Sequence, residues 1–152
     1  MSDDRVTKNF TLSEFVESDT ATRLGIDNTP PPEVEHTLRN VLIPAMQTVR
    51  DMLGVPVVIT SGYRCQDLNA AVHGSPNSDH MTGHACDFRA RVFGSPKQVA
   101  QFLAARIKFL KFDQLIWEGT WVHISFGTRL RNEVLTAHFN GGGVRYTQGI
   151  DA

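Results

Sequence analysis

Apolar residues recur at helical spacing over one long stretch of the chain. Val34, Leu38, Val41, Leu42, Ala45, Met46, Val49 and Leu53 fall three or four apart, which marks one buried helix face. Pro30-Pro31-Pro32 can open that helix, because proline at the first helical position gives up an N–H that has no partner anyway. Pro44 predicts a kink or break near Ile43, and Gly54 is a natural stop. A second helix is predicted from Ser95-Pro96 to about Ile107, on Val99, Phe102, Leu103 and Ile107. Thr11 and Glu14 fit a capping box opening a short helix through about Glu17. Ser18 to Asn28 reads as a loop, and Gln66 to Val72 as one or two helical turns.

Elsewhere β-branched runs and a period of two take over. Val55 to Thr60 reads as a buried strand, and His84 to Arg89 as a short one. Phe112 to Trp117 and Trp121 to Phe126 are strand-like, and Glu118-Gly119-Thr120 between them is short enough for a hairpin. Two weaker strands flank Asn140-Gly141-Gly142-Gly143. Helices first and strands after predict an α+β fold with a small, mainly antiparallel sheet. The expected organisation is a loose tail over residues 1–9 and a single domain over residues 10–152.

With 152 residues, 41% of them hydrophobic, the chain is long enough for one domain with its own core. A net charge of −1 gives no electrostatic reason to expect nucleic acid or an anionic membrane as partner. A monomer is expected. The polar start Met1-Ser2-Asp3-Asp4-Arg5 leads into no apolar segment, so neither a secretory signal nor a membrane span is expected. Cys65 and Cys86 are too few for a disulfide scaffold. Two free thiols are the default, with a disulfide between them the alternative outside the cytosol.

The candidate chemistry lies in Ser78-Asp79-His80-Met81-Thr82-Gly83-His84-Ala85-Cys86-Asp87 and in Trp121-Val122-His123-Ile124-Ser125-Phe126. Alternation along the first strand sends Ala85 and Asp87 one way, and His84, Cys86 and Phe88 the other. His80, with Gly83 allowing a sharp turn, is therefore a better partner for Asp87 than His84 or Cys86 is. On the second strand Val122, Ile124 and Phe126 form an apolar face, and Trp121, His123 and Ser125 the opposite one. Two histidines and one carboxylate are a donor set for a catalytic zinc ion, which keeps three protein ligands and an open position. Taken singly each has a plainer reading: His80 as an exposed loop histidine, Asp87 as a capping residue, His123 as a half-buried, satisfied histidine. No G-x-S-x-G elbow supports a serine nucleophile.

The pattern Ser78-x-His80-x-x-Gly83-x-Ala85-x-Asp87 followed by Trp121-Val122-His123 resembles the zinc D-Ala-D-Ala carboxypeptidase family, peptidase family M15. That family also holds the vancomycin-resistance dipeptidases and phage endolysins that cut L-Ala-D-Glu bonds. Phe10-Thr11-Leu12-Ser13-Glu14-Phe15, Asn28-Thr29-Pro30 and Ser61-Gly62-Tyr63-Arg64 with Asn69 look like its carboxypeptidase-like branch, often carried by phages. The resemblance implies the α+β fold shared with the hedgehog signalling domain and zinc held by His80, Asp87 and His123. It implies Arg64 beside the metal, where it contacts substrate or transition state, and peptidoglycan stem peptides as substrate. A protein of this kind without a signal would reach the wall after lysis, through a holin or by a delivery device.

One departure stands out. Several family members carry the catalytic carboxylate three residues before the last histidine ligand, where this chain has Thr120. Glu118, five before His123, is the expected base if the turn bulges, with Asp113 and Asp79 as alternatives. Ser78 and Ser125 could orient ligands, and Tyr63 and Trp121 could line a substrate groove together with Arg64 and Ser78. The competing readings are a non-catalytic zinc-containing wall-binding module and a phage structural or accessory protein.

Overall fold

The computed structural model describes residues 4–150. Its core lies between the helices and one face of a six-stranded sheet. The helices are α1 (Asp19–Leu24), α2 (Pro32–Thr37), α3 (Ile43–Leu53), α4 (Gln66–Ala71) and α5 (Pro96–Ala104). The strands are β1 (Val58–Ser61), β2 (Ala85–Arg89), β3 (Gln114–Trp117), β4 (Val122–Ser125), β5 (Glu133–Asn140) and β6 (Gly143–Gln148). Their order is β1-β2-β4-β3-β5-β6; only the β3–β5 pair is parallel, because the other neighbours run antiparallel. The chain is thus α+β with a mostly antiparallel sheet. No helix among the described residues is long and apolar enough to cross a membrane.

Leu38, Leu42, Ile43, Met46 and Val49 pack the helical layer against Cys86, Phe88, Leu115, Val122 and Ile124 from the sheet. Each large side chain so buried contributes about 1.5–3 kcal/mol. The predicted periodicity holds through Pro44 because the helix does not break there. A π turn at Leu38–Leu42 links α2 to α3 and absorbs the missing proline N–H just before the expected kink.

Several boundaries differ from the sequence reading. The Thr11–Glu14 capping box forms, with Thr11 N–H donating to Glu14 at 2.7 Å, yet it opens only a 3₁₀ turn at Ser13–Phe15. The segment read as a loop contains α1, capped by Ser18 and stopped by Gly25 in the left-handed region. The run read as a buried strand becomes β1 at the sheet's edge, with Val58 61% exposed. Its β-branched residues suit any strand, so they could not report which neighbours it would have. Residues 4–9, read as part of a loose tail, fold back instead. Arg5 bridges Thr11, and Asn9 bonds Gln47 through both its backbone and its side chain. Residues 1–3 of that tail, and residues 151 and 152, lie outside the described residues.

Candidate metal centre

One row of residues runs across the sheet on the face turned away from the core. Ser61 stands opposite Asp87, Asp87 opposite His123, His123 opposite Ile116, Ile116 opposite Leu135, and Leu135 opposite Gln148. Side chains in register share a face, so the row brings Asp87 and His123 together although 36 positions separate them in the sequence. A bulge between Ile59 and Ser61 places Ser61, rather than Thr60, against Asp87.

His80 joins from a 3₁₀ turn, Asp79–Thr82, that precedes β2. Ser78 caps the turn, its hydroxyl accepting the His80 backbone N–H at 3.2 Å, and Gly83 ends it at a φ of 82°. The turn is clamped to the loop after β1 from both sides. Arg64 N–H donates to the His80 carbonyl at 3.1 Å, and His80 Nδ1–H donates to the Gly62 carbonyl at 2.7 Å. A carbonyl only accepts, so Nδ1 carries a proton and Nε2 is the ring atom that faces Asp87. The same loop is held by Asn28, which donates to the Val16 and Tyr63 carbonyls and accepts from Cys65 N–H. Gly62 presses on the Phe15 backbone so closely that a Cβ there would overlap it.

His80 Nε2 lies 3.2 Å and His123 Nδ1 3.0 Å from the same oxygen, Asp87 Oδ1, and the three ligand atoms all fall within 4.8 Å of one another. Donors about 2.0–2.2 Å from a tetrahedral ion stand roughly 3.3–3.5 Å apart. The trio therefore needs only a slight opening to hold one divalent cation. His80 is 2% exposed, not the exposed loop histidine its sequence context suggests in isolation.

The electrostatics suit such an ion. Burial works against ionised Asp87, but the field of His80 and the hydrogen bonds from both imidazoles outweigh it and hold the carboxyl well below its usual range. Burial pushes His80 down, towards the neutral form that a metal requires. His123 is raised, because its hydrogen bond and attraction to Asp87 overcome its own burial.

Arg64 is largely committed to holding this group in place. It donates to Ser61 Oγ at 3.1 Å, to Asn69 Oδ1 at 3.1 Å and to Asp87 Oδ2 at 3.4 Å. Glu118 lines the same cavity, of about 500 Å³, as His80, Asp87, His123, Ser78, Trp121 and Asp79. The β3–β4 turn has no bulge; alternation alone brings Glu118 there. It lies two residues beyond Ile116 and Trp121 two before His123, so both share the metal-facing side. Trp121 Nε1–H donates to Glu118 Oε2 at 2.8 Å. Burial raises the Glu118 carboxyl above its usual value. Thr120 has the opposite parity and gives its carbonyl to Arg89.

Other sequence candidates go elsewhere. Tyr63, expected to line the groove, is 7% exposed inside the core cluster, since the clamped loop turns its ring inward. Asp113 is 1% exposed and occupied by Arg131 at 2.6 and 3.0 Å, which leaves no carboxylate free for proton transfer. Ser125 is fully buried and accepts Gln114 N–H, serving the sheet rather than a ligand. His84 bonds Thr82 and stands apart, as alternation required. Both cysteines are free thiols; Cys86 is buried in the core and its pKa pushed well up by that burial.

Residues 8–125 match the family model described as Peptidase M15. The chain belongs to the peptidase M15 family. A search of curated proteins returns no match. M15 peptidases are metal-dependent, and in this M15 chain the His80–Asp87–His123 group is the one cluster of metal-binding geometry among the described residues. The residues fit such an ion in donor type, spacing and support from Gly62 and Arg64. A groove of about 780 Å³ continues from the M15 site along β1, sharing Arg64, Asp87 and Trp121 with it. Sequence reasoning missed Tyr146 and Arg129, which also line the site cavity. The alternation of Val144 and Tyr146 beside a glycine turn was the available signal for the former.

Proposed function

We propose that this M15 peptidase hydrolyses peptide bonds in peptidoglycan stem peptides with one zinc ion held by His80, Asp87 and His123. The observation that carries the reading is the convergence of those three side chains on one point, with Glu118 in the same cavity. The D-Ala-D-Ala carboxypeptidase and hedgehog-type fold is part of the same proposal, as is action on the wall by a monomer after lysis or delivery.

Zinc bound there supplies Lewis-acid activation of a water and of the scissile carbonyl. The chain's own groups do the rest. Glu118 takes a proton from the attacking water and returns it to the leaving amide nitrogen as the C–N bond breaks. Its burial, which raises its proton affinity, suits both halves of that transfer. Trp121 fixes the carboxylate's position through its indole N–H. Arg64 holds Asp87 in register and sets a positive charge beside the developing oxyanion. Ser78 orients the turn that carries His80.

The carboxylate missing at Thr120 favours a non-catalytic wall-binding module; the position of Glu118 in the cavity weighs against it. Mass spectrometry of peptidoglycan digested with and without chelator separates the two. Chelator-sensitive release of free alanine or of new amino termini supports hydrolysis and identifies the bond. Binding to the wall without any release would favour the module.

A further inference from the structure

The β5–β6 hairpin brings a residue into the cleft that nothing above has assigned. Cross-strand register sets Tyr146 opposite Ala137 and Val144 opposite Phe139. Leu135, Ala137 and Phe139 share the face of Ile116, and through it the face of His123 and Asp87. Tyr146, Val144 and Phe139 accordingly line the same cavity as Glu118, His80, Asp87 and His123. All three are exposed, at 49%, 45% and 58%, although they are largely apolar and share a cavity with the charged Glu118, Asp87 and Arg64. The Tyr146 hydroxyl makes no hydrogen bond to any described residue. The hairpin lies beyond residues 8–125, so the family match assigns it no role.

An aromatic ring with an uncommitted O–H at the rim of a charged cleft is poorly explained by packing. β6 is the edge strand of the sheet, and the residue opposite Tyr146 is the small Ala137, which leaves most of the ring without a cross-strand neighbour. We propose that Tyr146 is a catalytic residue: its phenol donates a hydrogen bond to the scissile carbonyl oxygen as charge develops on it. Its ring, with Val144 and Phe139, covers the apolar side chain of the substrate residue next to that bond. The occupant of this patch is thus the substrate peptide. The patch lines the same cavity as Glu118, so a peptide seated beside Glu118 is the ligand within its reach. Burial, then the charges of Glu118 and Asp87, raise the phenol above its ordinary value, which keeps the proton on the donor. No proton changes hands in this contact; the O–H stays intact and Glu118 alone carries the transferred proton. The inference rests on the peptidase reading of the site.

The test is Tyr146→Phe in the zinc-loaded full chain, assayed on a stem peptide. Loss of one oxyanion donor is expected to lower kcat by about 10²-fold, with KM within about twofold, metal content unchanged and Tm unchanged. Tyr146→Ala should also raise KM, because the apolar cover is lost. A Tyr146→Phe enzyme with wild-type kcat overturns the proposal. So does one that loses activity only through lost metal or lost fold. A second measurement needs no turnover. The chain has two tyrosines, Tyr63 and Tyr146, so subtracting the Tyr146→Phe spectrum isolates one phenol in an ultraviolet pH titration of the metal-free protein. Glu118→Gln should shift that phenol's titration to lower pH. An unmoved titration would show that Tyr146 does not share Glu118's space, and would overturn the proposal even if the wild-type chain cleaved no peptide. Absence of cleavage by the wild type, by contrast, counts against the peptidase reading alone.

Discussion

The 3₁₀ turn and β2 hold His80 and Asp87 in a closed network, whereas the β3–β4 turn and the β5–β6 hairpin carry Glu118 and Tyr146 at an open rim. On the first side nearly every polar atom is committed: Gly62 to His80, Ser61 and Asn69 to Arg64, Arg64 to Asp87. On the second, Glu118 has one strong partner, Trp121, and Tyr146 has none among the described residues. A metal site must hold its ligands within tenths of an ångström, which favours closed networks. A base and a substrate wall must meet something that comes and goes, which favours groups left free to bond it. The difference predicts that changes on the open side alter turnover and spare metal binding, while changes on the closed side alter both.

Glu118→Gln should break the open side most severely. Turnover is expected to fall roughly 10²–10⁴-fold while metal content stays at that of the wild type. Equal loss of metal and turnover would erase the distinction between the two sides. Gly74→Ala probes the closed side without touching a ligand. A Cβ at Gly74 would overlap Asn69 Oδ1 and crowd Arg64 Nη1, so the Asn69–Arg64 pair that supports Asp87 must rearrange. Metal affinity should weaken by about 10-fold to 100-fold, read by competition with a chromogenic chelator, and turnover at limiting zinc should fall with it. Unchanged affinity would mean that Arg64 does not hold Asp87 in place.

Asp113→Asn should have the smallest effect and leave the site alone. Hydrogen bonds from Arg131 hold the Asp113 carboxyl below its usual range. Its stabilisation is therefore present above about pH 4 and is lost as pH falls through the lowered value. The variant should lose about 1–2 kcal/mol at neutral pH by urea unfolding, with the deficit closing in strong acid and metal binding unaffected.

Much of this was legible in the sequence, for physical reasons that differ by residue. The alternation in Ala85–Phe88 and in Trp121–Phe126 survives because one face of each strand packs into the main core and the other carries the site residues Asp87 and His123. That sufficed to select His80, Asp87 and His123 and to set His84 and Cys86 aside. The same parity extends to Glu118, so no bulge in the hairpin was needed; the bulge sits in β1 instead. Tyr63 was misplaced because the direction of a ring in a clamped loop depends on Asn28 and Phe15, distant in sequence. β1 was misread as buried because its composition cannot distinguish an edge from a centre. Tyr146 was missed because it reaches the site only through the parallel β3–β5 pairing, which no local pattern encodes. The M15 match covers residues 8–125 and likewise stops short of it.

The most direct test of the centre is a calorimetric titration of zinc into chelator-stripped protein, run on the wild type and on Asp87→Ala. One ion per chain in the wild type, and no measurable binding in Asp87→Ala, is the result expected from three side chains converging on a single point. A wild type that takes up no zinc, or an Asp87→Ala chain that binds it as tightly as the wild type, would contradict the assignment of the site.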